Sequence, residues 1–269
     1  MRAGLLGKDI SYSLSPEIHA FLFREMGVTG TYELLDRDKE EIESVLKRGY
    51  RGLNVTIPYK EEVMRFLTHP SRDAQKVGAV NTLLMEEGRV TGYNTDVYGA
   101  QKMMEHLLPK GGSVTIIGSG GAARAILVAA ERMDAGSISV CGRNKEALLK
   151  LKRDFPFIGV QKNAHLPGGD LLVNATPCGS ARSKEKWAFP KAELTKYRAV
   201  ADACYAPPLT PLLRAAKKQH LLTESGLKML IAQAIKAEEI WLGREIPEAC
   251  YRRLEIHLKT LIEKKEQKK

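Results

Sequence analysis

The feature that most constrains the fold is a glycine-rich turn between an apolar strand pattern and an apolar helix pattern. Residues 113–133 read SVTIIGSGGAARAILVAAERM, in which Gly118, Gly120 and Ala123 fit the pattern G-x-G-x-x-A. The first glycine permits a tight turn, the second lets backbone approach a pyrophosphate, and the small third residue lets helix and strand pack closely. The free N–H groups of a helix start attract phosphate. The pattern predicts a dinucleotide-binding unit, and a tight turn without a ligand is the alternative.

The end of the next strand indicates the type of dinucleotide. An NAD site usually has an acidic residue there to bind the ribose hydroxyls. This chain reads Cys141-Gly142-Arg143-Asn144-Lys145, with no acid before Glu146. A guanidinium can pair with a 2′-phosphate and stack on adenine. The sequence therefore favours NADP, unless Arg143 and Lys145 are ordinary surface charges.

Short apolar runs alternate with helical patterns along most of the chain, which predicts an α/β fold with a largely parallel sheet. The predicted strands are RAGLLG, TYELLD, GLNVTI, SISVCGRN, DLLVNATP and RAVADACY. The predicted helices are SPEIHAFLFREMG, DKEEIESVLKRG, YKEEVMRFLT, residues 98–108 and the segment from Gly226 onward. TLLMEEGRVTGYN predicts a hairpin that turns at Glu87-Gly88. The break Pro109-Lys110-Gly111-Gly112 precedes a second unit.

Composition bounds the function. The 269 residues contain no apolar run long enough for a membrane span, and the N-terminus lacks a signal-peptide pattern, so we expect a cytoplasmic protein. The cysteines are far apart and form no CxxC pair, so we expect no metal: Cys141, Cys178, Cys204 and Cys250. The net charge of +10 is spread along the chain, so we expect no nucleic-acid partner. The basic tail predicts a frayed, solvated helix end: Lys264, Lys265, Lys268 and Lys269.

Three polar clusters are candidates for a binding site. Ser15 before Pro16 predicts a helix N-cap, and Ser13 adds a second hydroxyl that suits a carboxylate. Asn54 and Thr56 project from one face of a strand end, and Lys60 follows at the start of a predicted helix. The clusters GAVNT and GYNTD supply polar side chains that also suit turns: Asn81 and Asp96. From the residues alone, Lys60 is equally a solvated charge or a catalytic group.

The motifs together resemble the shikimate dehydrogenases (the shikimate/quinate dehydrogenase family). They are SLSPEIH, NVTIPYK, GAVNT, GYNTD, GSGGAARA, NATP, DACYAPPLTPLL and GLKMLIAQA, and they span nearly the whole chain. The resemblance implies an N-terminal α/β substrate domain and a Rossmann-type NADP-binding domain, with the active cleft between them. The implied bounds are 1–97, completed by helices in 226–269, and 98–225.

The resemblance also implies roles for individual residues. It implies that Ser13 and Ser15 hold the substrate carboxylate and that Lys60 and Asp96 are the catalytic pair. It implies that the remaining substrate contacts come from Asn54, Thr56, Lys60, Asn81, Asp96 and Gln233. The implied cofactor residues are Gly118, Ser119, Gly120, Gly121, Ala122 and Arg143, with Thr176, Tyr205 and Gly226 at the nicotinamide end.

The implied activity is NADPH-dependent reduction of 3-dehydroshikimate to shikimate in aromatic amino acid biosynthesis. The alternatives are a quinate/shikimate dehydrogenase with relaxed cofactor use and a non-catalytic NADP-binding regulatory module. The partner is then a small molecule, and a homodimer stays open because nothing in the sequence fixes the number of subunits. Two segments depart from the family pattern: Gly142 and Asn144 flank Arg143, and Ala206-Pro207-Pro208 follows Tyr205.

Overall fold

The computed structural model describes residues 1–162 and 165–267, which form two compact units. The first contains Met1–Thr95 and Ile231–Leu258. The second contains Asp96–Leu230 and the end of the chain from Lys259 onward. Each unit is built on a β-sheet with helices between its strands, so the predicted α/β class is confirmed.

The sheet of the first unit is mixed. Its strands are β1 (Arg2–Gly7), β2 (Thr31–Asp36), β3 (Gly52–Val55), β4 (His69–Pro70), β5 (Thr82–Glu86) and β6 (Arg89–Tyr93), in the order β2-β1-β3-β5-β6-β4. The pairs β3–β5 and β5–β6 are antiparallel, and the others are parallel. β5 and β6 form the predicted hairpin. Its turn residues Glu87 and Gly88 have φ of 49° and 76°, the left-handed conformation that tight hairpin turns require.

The helices of the first unit differ most from prediction. They are α1 (Ser15–Glu25), α2 (Ile42–Leu46) and α3 (Arg72–Val77). The helix predicted for YKEEVMRFLT is wrong, because the segment forms only a 3₁₀ helix, Glu62–Phe66, with Val63 as its one buried residue. The helix predicted for DKEEIESVLKRG is shortened to a 3₁₀ turn, Lys39–Glu41, followed by α2. An α-helix of the predicted length needs a longer apolar stripe than either segment buries.

The second unit has an all-parallel sheet. Its strands are β7 (Ser113–Ile117), β8 (Ser137–Gly142), β9 (Gly159–Lys162), β10 (Gly169–Asn174), β11 (Tyr197–Asp202) and β12 (Leu222–Ser225), in the order β12-β11-β10-β7-β8-β9. Its helices are α4 (Thr95–Met104), which starts at the unit boundary, α5 (Gly121–Arg132), α6 (Lys145–Asp154) and α7 (Pro211–Lys218). The central strands β7 and β10 are apolar and buried, as expected of strands covered on both faces.

The last two helices are α8 (Gly226–Leu242) and α9 (Glu248–Gln267). Trp241 of α8 is 1% exposed, and its indole Nε1 donates to the carbonyl of Leu83 at 2.9 Å. It packs with Ala3 and Phe23 in the core of the first unit. The end of α8 therefore belongs to the first unit although it lies far along the chain. Of the basic tail, Lys264 continues α9, and Lys268 and Lys269 lie outside the described residues.

Candidate active site

Polar side chains from four segments of the first unit form one hydrogen-bonded network. Asn81, which precedes β5, accepts from the backbone N–H of Thr95 at 2.7 Å and donates to the Thr95 hydroxyl at 3.0 Å. Its amide also donates to Oε1 of Gln233 on α8 at 3.5 Å. Asn54 of β3 donates to the Asn81 carbonyl at 3.3 Å and to the Thr82 hydroxyl at 3.2 Å. Three predicted substrate residues therefore lie together.

Two members of this network were missed by sequence reasoning. Thr82 and Thr95 are 0% and 2% exposed, and their hydroxyl oxygens lie 3.1 Å apart. The signal was present in the sequence, because both polar clusters contain the dipeptide Asn-Thr, at Asn81-Thr82 and Asn94-Thr95. A buried hydroxyl needs a hydrogen-bond partner. Two buried Asn-Thr pairs at neighbouring strand ends indicate a shared network.

The two predicted serines lie at the start of α1, but neither is its N-cap. The helix α1 begins at Ser15 and the N-cap position is Leu14, which has no capping side chain, so the predicted N-cap role of Ser15 is wrong. Ser13 supplies the local hydrogen bond instead. Its Oγ accepts from the backbone N–H of Ser15 at 3.1 Å and lies 3.0 Å from Ser15 Oγ. The two hydroxyls are thus adjacent at the start of a helix, which is the arrangement predicted for a carboxylate site.

Tyr32 connects Ser15 to Asn54. Its hydroxyl donates to Asn54 Oδ1 at 2.8 Å, and it also hydrogen-bonds to the Ser15 side chain. Burial raises the pKa of Tyr32 well above 10.0, so the phenol stays protonated and remains a donor. Its ring stacks on His19 with centroids 4.2 Å apart. His19 in turn is paired with the buried Glu238, Nδ1 to Oε2, at 2.8 Å.

The backbone next to the predicted catalytic residues is held by hydrogen bonds. β3 ends at Val55, so Thr56 lies just past the strand, and its N–H still donates to the Leu6 carbonyl at 2.9 Å. Lys60 lies in a turn before the 3₁₀ helix, and not in a first helical turn as predicted. Its carbonyl accepts from Val80 N–H at 2.8 Å, and its side chain is partly exposed. Asp96 is 9% exposed in the first turn of α4.

The glycine-rich turn lies where the strand order of the second sheet reverses. Read from β9, the order is that of the dinucleotide-binding fold, in which the ligand crevice lies between the first strand and the fourth, here β7 and β10. Gly118 has a φ of 118°, which only glycine adopts readily. A Cβ there would lie 3.2 Å from the Ala175 carbonyl oxygen and from Thr176 Cγ2. The loops after β7 and β10 therefore meet, and they bring Thr176 to the phosphate loop.

The start of α5 fits a bound pyrophosphate. Gly120 is its N-cap and supplies no side-chain cap for the first N–H groups. Apart from its chain neighbours and the backbone of α5 itself, a Cβ built on Gly120 or Gly121 would meet no atom of the described residues within 4 Å, so the space in front of the helix is open. Ala122 and Ser119 beside them are partly buried, and Ala123 is fully buried against the sheet, as predicted for a small residue at this position. These residues suit a dinucleotide phosphate.

Arg143 lies just past β8, but an acid is beside it. Its Nη1 lies 2.7 Å from Oε1 of Glu185, and the side chains are 70% and 51% exposed. Each group shifts the other: the pKa of Glu185 is lowered and that of Arg143 is raised, mainly through this hydrogen bond. The strand end itself carries no acid, as the sequence shows, but the fold brings Glu185 to Arg143 from another loop. Glu185 comes from a loop after β10, where no local pattern indicated it.

A buried carboxylate connects the loops at the predicted nicotinamide end. Asp202 is fully buried at the end of β11 and accepts from Asn174 Nδ2 at 2.9 Å, Thr210 Oγ1 at 2.7 Å and Cys204 N–H at 3.1 Å. Asn174 Oδ1 accepts from the N–H and hydroxyl of Thr176 at 3.1 and 2.7 Å. Burial is the largest influence on Asp202 and raises its pKa above 3.8, although the hydrogen bonds oppose this. Sequence reasoning missed this network.

Gly226 and Tyr205 complete the predicted nicotinamide end. A Cβ at Gly226 would overlap the Ala203 carbonyl, so glycine is required for the close approach of α8 to the segment after β11. The Gly226 N–H donates to the Cys204 carbonyl at 3.2 Å. Tyr205 is partly buried in the same segment. This close approach places Gly226 next to the segment that contains Tyr205.

Residues 1–162 and 165–267 contain no group of three or more His, Cys, Asp or Glu side chains that could hold a metal ion. Within the same ranges, no helix is long and apolar enough to cross a membrane.

The parallel sheet order and the open glycine-rich turn define a dinucleotide-binding α/β protein with a second, mixed α/β unit. A family model described as the shikimate dehydrogenase substrate binding domain matches residues 5–83. The chain is 39% identical to the shikimate dehydrogenase (NADP(+)) of Clostridium perfringens (strain SM101 / Type A) over 251 residues, 90% of this chain and 93% of that relative. The chain belongs to the shikimate dehydrogenase family, so the resemblance found in the sequence is confirmed.

Solved structures agree with this membership. A chorismate mutase/shikimate 5-dehydrogenase fusion protein from Clostridium acetobutylicum is 34% identical with a TM-score of 0.91, covering 97% of this chain and 98% of that chain. The shikimate 5-dehydrogenase of Thermus thermophilus, in complex with NADP(H) and shikimate, is 32% identical with a TM-score of 0.84, covering 96% and 99%. The fold therefore matches these enzymes over almost the full chain.

Proposed function

We propose that this protein is an NADP-dependent shikimate dehydrogenase that reduces the ring ketone of 3-dehydroshikimate to the hydroxyl of shikimate. The observation that carries the proposal is the near-complete alignment with a relative named for this activity. The open phosphate loop and the joined Asn54–Asn81–Gln233 network support it independently.

Substrate recognition follows from the polar network. Ser13 and Ser15 offer two neighbouring hydroxyls to the substrate carboxylate, close to the N–H groups of the first turn of α1. Asn54, Thr56, Asn81 and Gln233 offer amide and hydroxyl groups that suit ring hydroxyls. At 3.5 Å, the contact between Asn81 and Gln233 is long for a hydrogen bond and therefore weak. A substrate hydroxyl between these two amides would replace it at little cost.

Catalysis in this proposal rests on Lys60 and Asp96. When bound, the nicotinamide supplies the hydride. The ammonium Nζ of Lys60 donates a proton to the carbonyl oxygen as negative charge develops on it. Asp96 is the second member of the catalytic pair, and its carboxylate binds a ring hydroxyl of the substrate. The hydrogen bond from Val80 N–H to the Lys60 carbonyl fixes the backbone from which this side chain extends.

Cofactor binding divides between two ends of the second unit. The pyrophosphate binds the loop Gly118, Ser119, Gly120, Gly121 and Ala122, whose helix start is open. Arg143 binds the 2′-phosphate of the adenosine ribose. Thr176, Tyr205 and Gly226 line the nicotinamide, and the Asn174–Asp202 network supports their loops. All of the predicted cofactor residues lie in the second unit.

If Arg143 binds the 2′-phosphate, Arg143→Ala should raise the KM for NADPH about tenfold, since a charge-assisted hydrogen bond is lost at an exposed position. The KM for NADH should change by less than about twofold, because NADH has no phosphate to lose. Steady-state kinetics with both cofactors measures this. An unchanged ratio of kcat/KM between the cofactors would remove Arg143 from phosphate recognition. Arg198→Ala, an exposed arginine of the same unit, is the control.

Variants of Ser13 and Ser15 should distinguish a role in substrate binding from a role in stability. Ser13→Ala should raise the KM for the substrate and lower the free energy of unfolding by about 1 kcal/mol, because the Ser15 N–H loses its acceptor. Ser15→Ala should raise the KM with a smaller loss of stability. Ser71→Ala, which removes the cap of α3 at Ala74 N–H, is the control and should affect stability alone. If both serine variants lose stability and keep the wild-type KM, the serines are structural only.

The enzyme assay decides between the proposal and its alternatives. We expect NADPH oxidation with 3-dehydroshikimate to have a kcat/KM well above that with NADH or with 3-dehydroquinate. Comparable rates with 3-dehydroquinate would favour a quinate/shikimate dehydrogenase with relaxed cofactor use. NADPH binding without turnover of either substrate would favour a regulatory module.

We also propose that the protein forms a homodimer and is located in the cytoplasm. Sedimentation velocity tests the first, because the chain mass is 29.8 kDa and a homodimer has twice this mass. Fractionation of the source cells tests the second.

A further inference from the structure

The ion pair between Arg143 and Glu185 occupies the guanidinium that the proposed function assigns to the 2′-phosphate. Arg143 Nη1 and Glu185 Oε1 are 2.7 Å apart, a short charge-assisted contact. The carboxylate presents two oxygens and a negative charge, which are also the features of a phosphate monoester. A phosphate and this carboxylate would repel each other at one guanidinium.

Glu185 is held by bonds on its backbone and its side chain. Its carbonyl accepts from Gly179 N–H at 2.8 Å and from Ser183 Oγ at 3.1 Å, and its N–H donates to Ser183 Oγ at 3.2 Å. Its second carboxylate oxygen, Oε2, accepts from the thiol of Cys178 at 3.2 Å. The carboxylate is therefore directed at Arg143 by its own loop.

Glu185 is an anion at neutral pH. Arg143 and the Cys178 thiol lower the pKa of its carboxyl below 4.5. The pair is exposed, so its strength is modest and falls with added salt. A modest, screened competitor reduces the affinity for a phosphate without abolishing it.

We propose that Glu185 competes with the 2′-phosphate of NADP for Arg143 and thereby weakens the discrimination between NADP and NAD. This rests on the proposed function, which places the 2′-phosphate at Arg143. Binding of NADP then requires the carboxylate to move away from the guanidinium. NAD leaves the Arg143–Glu185 pair intact, so Glu185 lowers the affinity for NADP alone.

The test uses 2′,5′-ADP, which carries the 2′-phosphate, and 5′-AMP, which lacks it, measured by titration calorimetry on the full chain. Glu185→Gln keeps the shape of the side chain and an acceptor for Cys178 but removes the charge. We expect it to lower the Kd for 2′,5′-ADP about three- to tenfold and to leave the Kd for 5′-AMP unchanged. The gain should disappear in the Arg143→Ala background and shrink at high salt.

Glu146→Gln is the matched control, since it removes the same charge near Arg143 along the chain from an exposed position in the first turn of α6. It should change the Kd for 2′,5′-ADP much less than Glu185→Gln does. An unchanged or weaker affinity of Glu185→Gln for 2′,5′-ADP would overturn the proposal, and weaker affinity would mean that Glu185 orients Arg143. Equal changes for both ligands would also overturn it. If 2′,5′-ADP binds no better than 5′-AMP in every variant, the NADP assignment itself fails.

Discussion

Lys60→Ala should lower kcat by about 100-fold or more and change the KM for the substrate much less. In our account Lys60 Nζ acts on the carbonyl oxygen as charge develops there, so its contribution appears mainly in the transition state. Lys60→Arg keeps a positive charge but is a poor proton donor, because a guanidinium does not deprotonate in this range. We therefore expect Lys60→Arg to retain the wild-type KM and to lack most of kcat.

Lys47→Ala is the control for charge. Lys47 is an exposed lysine of the same unit, paired with Glu43 one turn earlier, and its loss should leave kcat unchanged. Thermal unfolding must show that both Lys60 variants are folded. A folded Lys60→Ala with near-normal kcat would exclude Lys60 from proton transfer and leave it as a solvated charge.

Asp202→Ala should lower the free energy of unfolding by about 3 kcal/mol, a large part of the stability of an ordinary domain. The carboxylate accepts three hydrogen bonds, and its removal leaves the Asn174 amide, the Thr210 hydroxyl and the Cys204 N–H without this acceptor. Urea unfolding measures the loss. Asp170→Ala is the control, because Asp170 also accepts two bonds, from Ser113, but is partly exposed. If the two variants lost equal free energies of unfolding, the burial of Asp202 would not explain the size of its effect.

The contribution of Asp202 to the stability of the fold should depend on pH. The folded pKa of Asp202 is raised above 3.8, so its contribution to stability is fully present below the unfolded pKa and is lost as pH rises through the folded pKa. Asp202→Asn has no such titration. The stability of the wild type relative to Asp202→Asn should therefore fall as pH rises above about 4. A difference that grows with pH would show that hydrogen bonds to the ionised carboxylate outweigh its burial.

Local patterns predicted the parts of the fold that are local in sequence. The G-x-G-x-x-A turn after a buried strand is specified within one βα unit, and the hairpin at Glu87-Gly88 is specified by its turn residues. In the segment predicted as the helix YKEEVMRFLT, Tyr59 and Val63 are buried and Met64 and Phe66 only partly so, which is too short an apolar stripe to stabilise an α-helix. The N-cap was predicted at Ser15 and lies at Leu14, a shift of one residue that propensity does not resolve.

Contacts set by sheet order were outside the reach of local patterns. Asn54 meets Asn81 because β3 pairs with β5, which is not its neighbour in the chain. Gln233 was predicted as a substrate residue only from the family resemblance, and its contact with Asn81 joins two distant segments of the chain. Glu185 reaches Arg143 from another loop, so the sequence next to Arg143 does not indicate this ion pair. Functional residues could be predicted where they are adjacent in the sequence, but not where the fold brings distant segments together.

We propose that this chain transfers hydride from NADPH to the ketone of 3-dehydroshikimate. NADPH that carries deuterium on nicotinamide C4, with each face labelled in a separate experiment, tests this transfer when the product is examined by NMR. We expect shikimate with deuterium on the former carbonyl carbon, from one labelled face only, in an amount equal to the NADPH oxidised. Shikimate without deuterium from either face, or NADPH oxidation without shikimate, would contradict it.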